Sequence, residues 1–232
     1  MVWLLQGYVE ASGLEVDRDF HFGSQEARNK GRAFRSSDQD VEESWVPRNF
    51  RLVDGYSLPP LLCAPYWLCD GKTRDVVEVI EPGVHEFYHR TVTDMPDSTE
   101  VTDRYVMRVR NLALTVDPTR SDQPPVKVHR HRDNPAKTMV KSSFLYENHR
   151  QNRAQPKIAQ YPDIPANIHL WREKTYQSYE QIYCSDEMMT ALQEADCIDP
   201  THIIAVRLEP LKTSSTTNVL RLLKTNLGIG KP

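Results

Sequence analysis

The stretch IYCSDEMMTALQEADCIDPTHIIAVRLEP, residues 182–210, reads as strand, capped helix and strand in immediate succession. Ser185 is an N-cap residue whose hydroxyl can accept from a free first-turn amide, and Asp186 and Glu187 put negative charge at the positive end of the helix dipole. Met188, Met189, Leu192 and Ala195 recur at spacings of three and four, so they share one helical face that must be buried on a sheet. Asp199 and Pro200 break the chain. Ile203, Ile204, Val206 and Leu208 then form a β-rich apolar run that ends at Pro210. This segment is scaffold, with no evident chemistry.

Around it, sixteen prolines against nine glycines in 232 residues predict many turns and extended segments. The expected fold is α+β: an antiparallel or mixed sheet with a few flanking helices, loop-rich, in one domain over residues 1–232. The composition would allow an internal boundary only near 117–125, DPTRSDQPP. A net charge of −3 gives no reason to expect nucleic acid or an anionic membrane as partner. The apolar start MVWLL is ended by Gln6 and Gly7 with no cationic residue before it, so it does not read as a signal peptide. No later window approaches the roughly 18 apolar residues of a membrane span. Cys63, Cys69, Cys184 and Cys197 form no CxxC pair and are expected to stay reduced, which makes the cytoplasm the expected location.

Residues 2–10 read as a first strand, and the alternating 16–22 as part of a short hairpin or a further extended segment. Residues 23–43 are polar and lack a sustained apolar period, which predicts a surface loop. Tyr66 and Trp67 belong to an apolar cluster and read as core. Asp70-Gly71 and Pro82-Gly83 read as turns, with a strand or a helix end at 76–80 between them. Residues 84–93 and 105–112 alternate with a period near two and flank a polar loop, as an antiparallel hairpin would. In the second strand Tyr105, Met107 and Val109 share one face; Arg108 and Arg110 share the other, which is expected to look at solvent. Residues 126–153 are locally basic, and 218–227 offer Val219, Leu222 and Leu223 as one face of a short helix.

The most chemically suggestive cluster is His129-Arg130-His131-Arg132-Asp133. On a strand, this spacing puts two imidazoles and a carboxylate on one face, as zinc, manganese or iron would require. Arg130 and Arg132 oppose a cation there, so a basic loop with solvent-facing histidines is the preferred reading, and a metal-dependent hydrolase or nuclease using His129, His131 and Asp133 is the alternative. His85 and His89 would share a strand face and read as surface residues. No GxSxG elbow, phosphate loop, GxGxxG fingerprint or HExxH helix is present. Cys69 and Cys184 lie beside or near acidic residues that disfavour a thiolate, and read as small core residues. Neither a catalytic residue nor a cofactor is expected.

The order of DVV at 75–77, VHEFYHRTVT, RYVMRVRNLALTVD, HLWREKTYQ and CSDEMMTALQEAD resembles bacterial polymorphic-toxin immunity proteins of the family numbered eleven. Tyr105 to Val109, with Asp117 and Ser121, is similar to the Y-x-L-N-V strand and D-x-x-x-S turn of that family, with Met107 and Arg108 in place of its aliphatic and Asn residues. Tyr183 to Leu192, with Ser185, Asp186 and Ala191, is similar to its V-x-S-[DE]-x-L-x-x-A-L helix. The resemblance implies a non-enzymatic cytosolic protein of bacterial competition that binds and neutralises a cognate toxin or effector. Contacts are then expected on the acidic loops: Asp38, Asp40, Glu42 and Glu43 in one, Asp94, Asp97, Glu100 and Asp103 in the other. An adaptor that binds a protein without inhibiting it is the remaining reading, and the oligomeric state is left open.

Overall fold

The computed structural model describes residues 1–7, 14–16, 24–36, 40–53, 56–63, 66–94, 100–117, 121, 127–131, 134–141, 157–161, 164–174 and 181–210. The chain begins with β1 (Val2–Gly7), β2 (Leu14–Val16) and α1 (Gln25–Ser36), followed by a 3-10 turn at Glu43–Trp45. Next come β3 (Phe50–Leu52), β4 (Leu61–Cys63), β5 (Trp67–Cys69), α2 (Gly71–Ile80), β6 (Glu86–Asp94), β7 (Glu100–Arg108) and β8 (Leu112–Ala113). β9 (Lys127–His131), β10 (Asn134–Lys141), β11 (Ala159–Gln160) and β12 (Leu170–Glu173) lead to β13 (Gln181–Ser185), α3 (Asp186–Glu194), β14 (Ile203–Arg207) and β15 (Glu209–Pro210).

The expected strand, capped helix and strand are β13, α3 and β14. The Ser185 hydroxyl accepts from the Met188 amide at 3.1 Å, and Met188, Met189 and Leu192 are buried. At the other end the Cys197 amide donates to the Leu192 carbonyl and the Asp196 amide to that of Gln193, a paired closure that requires a left-handed residue at Asp196, φ 51°.

Two mixed sheets result. One has the order β14-β1-β13-β12-β8, the other β2-β3-β6-β7-β5-β4; β12 with β8 and β3 with β6 are parallel pairs. β1 is buried on both sides: Val2 and Leu4 pack with Trp171 and Tyr183, whereas Leu5 joins Ile182 and Cys184. That second face shares a core with Leu61, Cys63, Trp67 and Met107 of the other sheet and with Val77 and Leu192 of the helices. The sheets meet closely where β1 ends, since a Cβ on Gly7 would lie 2.2 Å from Cys63 Cβ.

Several expectations change. Residues 25–36 are a helix, not a loop: Ser24 caps it by accepting from the Ala27 amide at 3.2 Å, and among its described side chains Phe34 is the one large apolar group buried, so its apolar period is faint. Asp70-Gly71 is a helix start and not a turn, because the Asp70 carboxylate accepts from the Thr73 amide at 2.7 Å. Of the hairpin or separate extended segments expected at the start of the chain, the second holds for β1 and β2, since β2 pairs with β3 in the sheet that lacks β1; residues 17–22 lie outside the described residues. The helix expected at 218–227 lies outside the described residues.

The sheets are also joined by a buried carboxylate, that of Glu81 at the C-terminal end of α2. Its Oε1 accepts from the His169 amide at 2.9 Å and Asn111 Nδ2 at 3.0 Å; its Oε2 accepts from the Leu170 amide and His85 Nε2, each at 2.8 Å. The Arg110 amide donates to His85 Nδ1 at 3.2 Å, which leaves Nε2 as the ring nitrogen that donates to Glu81. His85, expected at the surface, is therefore buried between a donor and an acceptor. Burial alone would raise the Glu81 pKa, but bonds from His85 and from the His169 and Leu170 amides outweigh it and hold the carboxyl below its ordinary value.

A group with a depressed folded-state pKa stabilises the fold above its unfolded value, about 4.3 for Glu, and that contribution is lost as pH falls through the folded value. Urea midpoints should therefore drop progressively below about pH 4.3. Glu81→Gln puts an amide NH₂ against two donors and should cost about 2–5 kcal/mol at neutral pH, with a flatter acid limb. An unchanged acid limb in that variant would remove Glu81 from the account.

Candidate functional site

The antiparallel pair β6–β7 frames the surface on which the acidic candidates sit. Its register sets Glu86 opposite Arg108, Tyr88 opposite Val106 and Arg90 opposite Arg104, all on one face; Phe87, His89 and Thr91 oppose Met107, Tyr105 and Asp103 on the other. The arginine face does not look at solvent. Arg90, Arg104 and Arg108 are buried because the chain between Phe34 and Leu58 lies over them. Arg90 Nε donates to the Pro47 carbonyl at 2.8 Å, an Arg104 terminal nitrogen to that of Leu58 at 3.2 Å, and Arg108 Nε to that of Phe34 at 3.1 Å. Irregular backbone at Pro47 and Leu58 and the last turn of α1 at Phe34 leave carbonyls without ladder or helix partners, and these charged donors supply them.

Glu86 joins this network from the same face. Its Oε2 accepts from Arg108 at 2.8 Å and from the Tyr88 hydroxyl at 2.7 Å, and its Oε1 accepts from Arg110. Burial would raise its pKa, but the bonds from Arg108, Tyr88 and Arg110 hold it below the ordinary range. The Tyr88 phenol is pushed up to about 12, by burial first and then by the Glu86 carboxylate.

Of the first acidic group, Asp40 lies 2.9 Å from Arg110 and Glu43 3.2 Å from Arg90, while Glu42 accepts from the Ser44 hydroxyl at 3.0 Å. All three are exposed above the arginine face. In the second group Asp103 is exposed on the opposite face, 2.9 Å from His89. Asp94 closes β6 and Glu100 opens β7. Asp38 and Asp97 lie outside the described residues. The fold thus gathers Asp40, Glu42 and Glu43 and sets Asp103 apart from them. Sequence reasoning missed the buried arginines beneath; the proline-rich chain at 47–60, which needs donors from elsewhere, was the available signal.

His129 and His131 are on β9, opposite Met139 and Asn134 of β10, so residues 127–131 and 134–141 are paired strands and not a loop. Asp133 lies outside the described residues. Among the described residues no three His, Cys, Asp or Glu side chains are grouped to hold a metal. All four cysteines are buried, and burial pushes the thiols of Cys69, Cys184 and Cys197 up, away from the nucleophilic thiolate.

The model of the Immunity protein family (Imm11) matches residues 23–202. The chain belongs to this family. The span of the Imm11 match runs from just before α1 to just before β14, and includes the Glu81 anchor, the β6–β7 hairpin and helices α2 and α3. It bears out the resemblance carried by Tyr105 to Val109 and Tyr183 to Leu192. A search of curated proteins finds no match. Among the described residues, no helix is long and apolar enough to cross a membrane.

Arg108→Met should cost about 2–4 kcal/mol, since it removes charge-assisted bonds to Glu86 and to the Phe34 carbonyl. It should also release α1, read as faster proteolytic cleavage within residues 24–36. Cleavage at the unaltered rate would show that Arg108 does not anchor that helix.

Proposed function

We propose that this immunity protein binds a cognate bacterial toxin and neutralises it by covering its active face, with no catalytic step of its own, in the cytoplasm. The observation that carries this reading is membership of the immunity family over residues 23–202. A stable inhibitory complex of ordinary size buries about 1,200–2,000 Å² in total. Asp40, Glu42 and Glu43 suit the rim of such an interface: they are exposed, and their charge attracts a basic toxin before contact. Asp103, exposed on the other face of the hairpin, and Asp94, Asp97 and Glu100, close to it in the sequence, are the second group of proposed contacts.

The test is to express the neighbouring open reading frame of the native locus with and without this protein, then to co-purify the pair. Toxicity of the neighbour alone, rescue in company and a retained complex are the expected results; a harmless neighbour that does not co-purify would refute the reading. For the rim, Asp40→Lys with Glu42→Lys should slow association about tenfold at low salt with little change in dissociation, because exposed rim charges act on encounter. An association rate that stays the same would take these residues out of the interface.

A further inference from the structure

Arg90 of β6 and Arg104 of β7 stand directly opposite each other, and both are buried. Like charges at facing positions of a ladder repel, and taking them out of water adds to the cost. Burial lowers the Arg104 pKa, and Arg90 Nη2 has no hydrogen-bond partner among the described residues. Stability alone would be served as well by apolar side chains at these positions. What the two guanidiniums do is hold irregular chain against the sheet. Arg90 bonds the Pro47 carbonyl and the Glu43 carboxylate of the 3-10 turn, and Arg104 bonds the Leu58 carbonyl.

The same chain is fixed from below by apolar side chains. Val46 and Phe50 are buried in the core on that side of the sheet, and Trp45 and Leu58 pack at its edge. Because Arg90 and Arg104 are separated by one strand spacing, about 5 Å, the stretches they hold are brought side by side into one surface. Two residues on it face water with little to hold them. The Glu42 carboxylate bonds only the Ser44 hydroxyl among the described residues, and Tyr56 is 48% exposed. Met1, Val79 and Val84 are the other large apolar residues exposed among those described; Tyr56 is the aromatic one and the one on this surface. Its amide donates to the Val53 carbonyl at 3.2 Å, which closes a tight turn and sets the direction in which the ring leaves the chain.

A tyrosine so placed is suited to recognition. It offers a large amphipathic contact with few torsions to order, and a chain already held by the sheet loses little further freedom on binding. Such preorganisation gives a reason for two buried like charges where apolar residues would fold as well. We infer that the surface carrying Glu42 and Tyr56 is where this protein grips its toxin, with the Tyr56 ring as anchor in an apolar recess of the toxin that has a lysine or arginine beside it for Glu42. This rests on the toxin-binding reading above and names the residue at the centre of the contact. Arg90 and Arg104 are positioning residues, because they touch the chain behind Tyr56 and not the partner.

The experiment uses the full-length protein and the product of the neighbouring open reading frame, with binding followed kinetically and rescue followed by growth. Tyr56→Ala alters an exposed position, so thermal melting should match that of the unaltered protein. It is expected to speed dissociation about tenfold or more and to abolish rescue, whereas Tyr56→Phe, which keeps the ring, should change both far less. Arg104→Met should weaken binding by freeing the chain at Leu58. In that background Tyr56→Ala should cost less than in the unaltered protein, since the ring is no longer held in place. Unaltered dissociation of Tyr56→Ala would overturn the anchor while leaving toxin neutralisation standing, and strictly additive losses in the double variant would overturn the role given to Arg104. If Arg104→Met does not fold, the two Tyr56 variants still decide the anchor. Failure of the unaltered protein to bind or rescue would overturn both the anchor and the toxin-binding reading. Sedimentation that shows a dimer of this chain, dissolved by Tyr56→Ala with toxin binding intact, would assign the surface to a second copy and overturn the inference.

Discussion

Four donors converge on the buried carboxylate of Glu81, and they come from three separate parts of the chain. His85 precedes β6, Asn111 follows β7, and the amides of His169 and Leu170 start β12 of the other sheet. A buried carboxylate is tolerable only when its lone pairs are filled, and the Leu170 amide and His85 Nε2 would in turn be unsatisfied buried donors without it. The anchor is therefore mutual. It sets where α2 ends and how the six-stranded sheet meets the five-stranded one. His169 carries the connection onward, since its ring lies 3.0 Å from the Ser185 hydroxyl that caps α3. The positions of α2 and α3 depend on this junction.

The second organising device is a substitution of side chains for backbone. Pro47 and Leu58 lie in irregular backbone and Phe34 in the last turn of α1, where carbonyls have no ladder or helix partner, and Arg90, Arg104 and Arg108 reach from β6 and β7 to supply donors. A guanidinium suits this role because its several donors lie in a fixed plane and its charge strengthens each bond. The outer ends of two of these groups are balanced by exposed acids: Glu43 pairs with Arg90 directly, and Asp40 reaches Arg108 only through Arg110 and Glu86. Acids that first read as free surface charge are thus partly structural, which places Glu42 foremost among the first group as a residue a partner could use.

What was legible in the sequence depended on the range of the signal. The strand, cap and helix of 181–194 and the alternation of β6 and β7 are written in neighbours a few residues apart, and they were read correctly. The helix α1 was written less plainly. Its cap at Ser24 and its spacing of Ala27, Gly31 and Phe34 are present, but with a single large apolar side chain in the stripe they are indistinguishable from a polar loop. Asp40, Glu42, Glu43 and Asp103 are exposed, but Asp94, Glu100 and Asp103, expected on a loop, are on β6 and β7, and no local pattern shows that Asp40 and Asp103 lie on opposite faces of one hairpin.

Membership of the immunity family, the α+β class, the burial of the cysteines and aromatics, and the capped helix were determined by the sequence itself. Each rests on residue type and local period, which do not need the partner to be known. The burial of Glu81, His85 and the three arginines was decided only in the tertiary structure. A polar side chain turns inward when a complementary group arrives from far along the chain, as Leu170 does across 89 positions to Glu81, and no local pattern records that arrival. The same holds for the surface around Tyr56, since Leu58 and Arg104 lie 46 positions apart in the chain and meet only where it crosses the sheet.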